Sequence, residues 1–67
     1  MIERKPERIP IILEKMQKYW SNHSCLRLFQ LMEILKTEAY KKYGYVDIFF
    51  LEDDKLEEVL DKLNENL

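Results

Sequence analysis

His23 and Cys25 are the residues of this sequence whose types and spacing come closest to a chemical site. A structural zinc site needs four ligands and a catalytic one three, and the chain has no other histidine or cysteine. Nucleophilic Cys–His chemistry also needs a third group that orients the base, and no residue is identified for that role. We therefore expect no catalytic residue, no metal and no cofactor, with His23 in a loop and Cys25 half-buried.

The acidic run at residues 52–54 offers the carboxylate oxygens that Ca²⁺ prefers. The alternating ligands and the turn glycine of an EF-hand loop are missing around it. Asp54 followed by Glu57 has instead the spacing of a helix capping box, and Leu51 lies in reach as a hydrophobic staple. This run is therefore expected to begin a helix of about 54–65 rather than to hold a cation.

Lysines and tyrosines alternate in the second half of the middle segment, a composition suited to nucleic-acid phosphates and stacked bases. The residues concerned are Lys36, Tyr40, Lys41, Lys42, Tyr43 and Tyr45. A net charge of −2 and an isoelectric point near 5.4 oppose this interpretation. Nucleic-acid binding through the basic N-terminal two thirds is therefore the alternative function, and a solvated face with core tyrosines is the simpler account.

Charge is distributed unevenly along the chain. Residues 1–46 carry nine Lys and Arg against five Asp and Glu, whereas residues 47–67 carry two against eight. Such asymmetry either steers a partner or lets the acidic segment dock on the basic remainder. We expect internal docking, and keep open the alternative of an acidic inhibitor that imitates nucleic-acid phosphates.

Apolar residues recur at helical spacing in three segments, which predicts a mainly all-α, single three-helix domain. The predicted helices cover about 7–21, 25–43 and 54–65. Ser24 is the expected N-cap of the second helix, and Gly44 is its expected C-terminal stop. Residues 45–51 form an apolar connector, extended or a single turn, whose aromatic side chains are expected to fill the open end of the core.

The second helix is apolar over more than one face, because its apolar arc extends beyond the regular stripe to Phe29 and Tyr40. It should therefore be covered on two sides, as the central element of the domain or as part of a subunit interface. The last helix is apolar on one face only and is expected to pack on one side.

The chain is 67 residues long, which is enough for one domain of marginal stability. It has no uncharged apolar run near the ~18 residues of a membrane span, no secretory signal, and a single cysteine. These features predict a soluble, cytoplasmic protein without a membrane association.

Residues 26–31, preceded by Trp20, and the acidic segment 47–56 resemble the corresponding segments of the small YihD-like proteins. This resemblance covers about residues 8–63 and implies a small helical fold of bacterial or phage-borne origin. No activity is established for that family, so no catalytic residue carries over. The chain departs from the family pattern at Ser24-Cys25, where Pro-Asp is usual, and at Ile48, where Pro is common.

The absence of a chemical constellation, together with the extra apolar arc, predicts a non-enzymatic protein-interaction module. Its partner is expected to be a second copy of the chain, in a homodimer, or a host protein. The candidate interface residues lie on the second helix and the connector: Phe29, Tyr40, Tyr43, Tyr45, Phe49 and Phe50.

Overall fold

A computed structural model describes residues 5–44 and 47–65 of the chain. Within these ranges the fold is all α-helical and contains no strand, which confirms the predicted fold class. Its elements are α1 (Arg8–Ser21), α2 (Leu28–Tyr43), a 3-10 turn (Ile48–Phe50) and α3 (Asp53–Glu65). The 3-10 turn confirms that the connector forms a single turn in its described part.

The hydrophobic core lies where the three helices meet. Its centre consists of Ile12, Leu35, Ala39, Val59 and Leu60. Half-buried apolar residues surround this centre: Met16, Met32, Tyr43, Ile48, Leu51, Leu56 and Leu63. Fully burying a large apolar side chain such as Leu60 or Val59 contributes about 1.5–3 kcal/mol. The buried centre therefore supplies much of the free energy that stabilises the domain.

Polar contacts fix the direction of α3 relative to α1. Arg8 and Asp53, at the starts of the two helices, form an ion pair. Further along, the Asn64 side-chain amide donates a hydrogen bond to the backbone carbonyl of Lys15 at 3.2 Å. The two helices therefore run in the same direction, and the 3-10 turn lies near the end of the domain where both begin.

The central helix is α3 and not α2, so this part of the sequence interpretation is wrong. The close backbone contacts between helices are those of α3 with α1 and of α3 with α2. The single apolar face of α3, with the buried Val59 and Leu60, fits between the other two helices. One apolar face is enough to contact two neighbours, because α3 lies in the groove between α1 and α2 and its apolar face contacts both of these helices.

The start of α2 lies about three residues after the predicted one. Residues 22–25 form a turn, and Ser24 is not the N-cap. The N-cap is Arg27, whose backbone N–H donates to the Gln30 side-chain oxygen at 2.8 Å. The loop before it is held by the Trp20 indole N–H, which donates to the Leu26 carbonyl at 2.8 Å.

In contrast to α2, α3 begins one residue earlier than predicted, at Asp53. Asp54 and Glu57 do not form a capping box. The Glu52 carbonyl accepts from the backbone N–H groups of Lys55 and Leu56, each at 3.0 Å, so the helix already begins at Asp53. The Glu57 carboxylate accepts instead from the Lys15 ammonium at 3.2 Å. A contact with the neighbouring helix has therefore replaced the local cap.

Two predicted helix ends are confirmed. At the end of α1, the Asn22 side-chain amide donates to the Lys18 carbonyl at 2.9 Å. Gly44 ends α2 in the left-handed conformation, with φ at 77°, and its N–H donates to the Tyr40 carbonyl at 2.8 Å. Glycine is favoured there because an L side chain is strained at positive φ.

Candidate functional site

His23 has a structural role. Its ring stacks on Tyr19 with centroids 4.3 Å apart, and its Nδ1 donates to the Tyr19 carbonyl at 2.9 Å. Cys25 is exposed, so the expectation that it is half-buried is wrong. Among the residues that the structure describes, no group of three or more His, Cys, Asp or Glu side chains is placed to hold a metal ion.

The acidic segment docks on α1 through ion pairs, as the charge distribution predicts. The Lys15 ammonium lies 3.0 Å from an Asp61 carboxylate oxygen and 3.2 Å from Glu57. The hydrogen bond to Asp61 is the main cause that raises the pKa of Lys15. Glu57 and Asp61 are therefore engaged with a lysine within the fold, whereas Asp47 and Asp54 of the same segment are exposed.

The lysines and tyrosines of α2 do not share one binding face. The Lys41 ammonium lies 3.5 Å from a Glu38 carboxylate oxygen, and the Lys42 ammonium lies 5.5 Å from the centroid of the Tyr43 ring. The Tyr43 hydroxyl donates a hydrogen bond to the Glu58 carboxylate. That bond is the main cause that raises the pKa of Tyr43 to about 12 and lowers the pKa of Glu58. Tyr43 and Lys42 are therefore engaged within the domain, whereas Lys36 and Tyr40 are exposed on α2.

The six candidate interface residues separate into three groups. Phe29, Tyr40, Phe49 and Phe50 are exposed, whereas Tyr43 is half-buried and packs against the core. Tyr45 lies outside the described residues. The structure therefore leaves four of the six available to a partner, and Tyr43 is removed from the set because it contributes to the core.

Phe29 and Tyr40 do not form a single patch. They lie on one face of α2, but eleven residues at 1.5 Å each separate them by about 16 Å along the helix. Glu33 and Lys36 lie between them on that face and are exposed. The extra apolar face of α2 is therefore exposed near both ends of the helix, at Phe29 and Tyr40, but Glu33 and Lys36 interrupt it in the middle.

Phe49 and Phe50 are 82% and 67% exposed, so the expectation that they fill the end of the core is wrong. Their rings meet edge to face, with centroids 5.1 Å apart and an interplanar angle of 83°. The core is closed instead by their neighbours Ile48 and Leu51, which pack against it. We call this Ile48–Phe50 element, with its two exposed rings, the phenylalanine turn.

The phenylalanine turn is held in shape on both sides. The Asp47 carboxylate accepts from the backbone N–H of Phe49 at 2.9 Å, and the Leu51 N–H donates to the Ile48 carbonyl at 3.0 Å. Because Ile48 and Leu51 are anchored in the core, the backbone between them is fixed while the two rings face outwards. An exposed apolar group on a fixed backbone is a typical contact site for a partner protein.

A second apolar surface, which the sequence interpretation missed, lies between α1 and the start of α2. This apolar groove has a volume of about 580 Å³, and its apolar lining consists of Leu13, Met16, Trp20, Leu26 and Leu28. Gln17, Ser21 and Ser24 complete the lining. The sequence signal for it is the helical spacing of Leu13, Met16 and Trp20 on α1.

None of the helices in the described ranges has the length and apolar content needed to cross a membrane. A comparison of the chain with protein-family models, with curated proteins and with solved structures found no match. The resemblance to the YihD-like proteins therefore stays a prediction from the sequence motifs.

Proposed function

We propose that this chain is a non-enzymatic protein-interaction module that binds a partner protein through the phenylalanine turn. The observation that supports this is the exposure of Phe49 and Phe50 on a backbone that Ile48 and Leu51 anchor in the core. Burying a phenylalanine side chain contributes about 1.5–3 kcal/mol. A turn whose backbone is already ordered loses little conformational entropy on binding, so more of this burial free energy contributes to the affinity.

The charge around the turn favours a particular kind of partner surface. Asp47 precedes the two rings and Asp54 follows them, and both are exposed. A complementary partner has an apolar pocket whose rim carries Lys or Arg. An anionic lipid surface is disfavoured as the target, because it would repel the same carboxylates.

The proposed location rests on the cysteine content, and the proposed source of the partner rests on the family resemblance. The chain has a single cysteine, Cys25, so it cannot form a disulfide within itself. A reducing compartment fits that usage, so we place the module in the cytoplasm. The resemblance to phage-borne proteins makes a host protein one source of the partner.

The test is affinity capture of proteins from cells with the full chain as bait. The parent chain is compared with a double variant that combines Phe49→Ser and Phe50→Ser. The control is Ile11→Ser, which removes a side chain that is 49% exposed on α1. Circular dichroism confirms that each variant is folded. We expect a protein that the parent chain and the control retain equally, and whose affinity for the double variant falls about hundredfold or more, since two buried rings are lost.

Equal capture by all three chains would contradict the proposal. Retention of DNA or RNA by the parent chain at about 50 mM salt, weakened by further salt, would support the nucleic-acid alternative instead. For the test of nucleic-acid binding the variant is Lys36→Gln, because Lys36 is exposed on α2 beside Tyr40.

A further inference from the structure

The outer face of α2 consists of four exposed side chains in a symmetric order: Phe29, Glu33, Lys36 and Tyr40. They follow one another at intervals of four, three and four residues, which keeps them on one side of the helix. Phe29 is 83% exposed and Tyr40 is 57% exposed. We propose that this outer face binds the same face of a second copy of the chain, with the two α2 helices antiparallel. This inference is independent of the phenylalanine turn and its partner.

The order of the four residues selects a second copy as the occupant. Phe29 lies four residues before Glu33, and Tyr40 lies four residues after Lys36. A two-fold axis that passes between Glu33 and Lys36 therefore places Glu33 opposite Lys36 of the second copy. The same register places Phe29 opposite Tyr40 of the second copy. Every residue of the outer face then meets a complementary one, whereas binding of a foreign partner would require no such symmetry in this chain.

The two charges are available for these contacts. In the described part of the chain the ion pairs join other residues, and neither Glu33 nor Lys36 takes part in one. Opposite charges across an interface fix its orientation and register more than they add to its affinity. A parallel arrangement in register would bring Glu33 and Lys36 each against its own copy. The charges therefore favour the antiparallel arrangement.

The relief of the outer face also suits packing between helices. Glu33, Lys36, Thr37 and Tyr40 surround a depression of about 200 Å³. These residues have the i, i+3, i+4 and i+7 spacing of a hole that receives a side chain from an adjacent helix. A side chain of the second α2 helix can therefore enter the space that they leave open.

The aromatic rings determine the strength of such a dimer. A phenylalanine or tyrosine side chain buries about 150–250 Å² when it is covered completely. With the exposure that Phe29 and Tyr40 have in the single chain, the four rings of a dimer bury roughly 400–700 Å² together. An interface built around this area is weak and reversible. We therefore expect a dissociation constant between about 10 µM and 1 mM.

Sedimentation equilibrium of the full chain tests the proposal. The mass should rise from 8.3 kDa towards twice that value over the concentration range of about 10 µM to 1 mM. Glu33→Lys places cations opposite each other, and Lys36→Glu places anions opposite each other. Each single reversal should raise the dissociation constant at least about tenfold. Both positions are exposed, so both variants should fold, which circular dichroism checks.

The combination of the two reversals is the decisive variant. A chain with both Glu33→Lys and Lys36→Glu has the charges exchanged but still complementary, so it should dimerise as the parent chain does. An equal mixture of the two single variants should also associate, although neither does so alone. The control is Glu14→Lys, which makes the same change of net charge at an exposed position on α1 and should leave the dimer unchanged.

Each result decides for or against the antiparallel pair. A dimer that the single reversals dissociate and the double reversal restores supports the proposal. A chain that is monomeric at about 1 mM overturns it, as does a dimer that survives both single reversals or is not restored by the double reversal. A dimer lost only on substitution of Phe49 and Phe50 also overturns it, and would assign self-association to the phenylalanine turn instead.

Discussion

Leu60 and Phe29 are both large apolar residues on helices, yet the structure gives their truncation opposite consequences. Leu60 is fully buried at the centre of the core, whereas Phe29 is 83% exposed. Leu60→Ala removes buried apolar surface and leaves a cavity among its neighbours, which costs about 2–5 kcal/mol. Phe29→Ala deletes more atoms, but these atoms are already in water, and the cost should stay within about 0.5 kcal/mol.

The magnitude for Leu60 is large relative to the whole domain. A chain of this length has a free energy of unfolding of about 3–10 kcal/mol. In a domain of 60–100 residues, each kcal/mol shifts the Tm by about 4–8 °C. Leu60→Ala should therefore lower the Tm by about 8–40 °C, while Phe29→Ala should leave it nearly unchanged. Urea and thermal unfolding followed by circular dichroism, at a concentration where the chain is monomeric, measure both.

Two outcomes would refute this reasoning. A loss above about 2 kcal/mol for Phe29→Ala would show that Phe29 is part of a core, and α2 would then have to be rotated about its axis relative to the structure. A loss below about 1 kcal/mol for Leu60→Ala would place Leu60 outside the centre of the core. An unchanged urea m-value in both variants would show that the effects arise in the native state.

Three further predictions concern single contacts. Gly44→Ala should destabilise the chain by about 1–2 kcal/mol through its left-handed backbone, since no atom of the described residues lies within 4 Å of the added Cβ; Gly44→Asn should cost less in the same unfolding assay. Absorbance titration should show one tyrosine that ionises near a pKa of about 12, and Glu58→Gln should bring that step back towards the ordinary pKa of tyrosine. Because the folded pKa of Tyr43 is raised and that of Glu58 is lowered, the stabilisation from this pair should be lost above about pH 10 and again as the pH falls through the lowered pKa of Glu58. Lys15→Gln should cost up to about 1 kcal/mol, and salt should reduce the difference from the parent chain, whereas Lys18→Gln on the exposed side of α1 should have no measurable effect.

Local patterns in the sequence were sufficient for the number of helices and for several of their ends. Apolar spacing predicts three helices because each must bury one face, and this holds whatever the neighbouring element is. Asn22 and Gly44 end their helices through contacts within one turn of the chain. Such contacts depend on nearby residues alone, so they are visible in the sequence.

The candidate interface was only partly visible in this way. The apolar arc of α2 correctly indicated that Phe29 and Tyr40 lie outside the core. Helical spacing does not show which side of an apolar face a neighbouring helix covers, so it did not indicate that Tyr43 packs against the core. For the same reason, helical spacing on α1 does not show that Leu13 and Trp20 line a groove to which no described residue of α3 contributes.

Tertiary structure alone decided which apolar residues are buried and which carboxylates are paired. Ile48 and Phe49 are adjacent and similar in hydrophobicity, yet one packs on the core and the other is exposed, because the direction of the turn selects between them. Asp54 and Glu57 have the spacing of a cap, yet Glu57 binds Lys15, 42 residues away. Local spacing determines which partners are near along the chain, whereas the packing of α3 between α1 and α2 determines which partners are near in space.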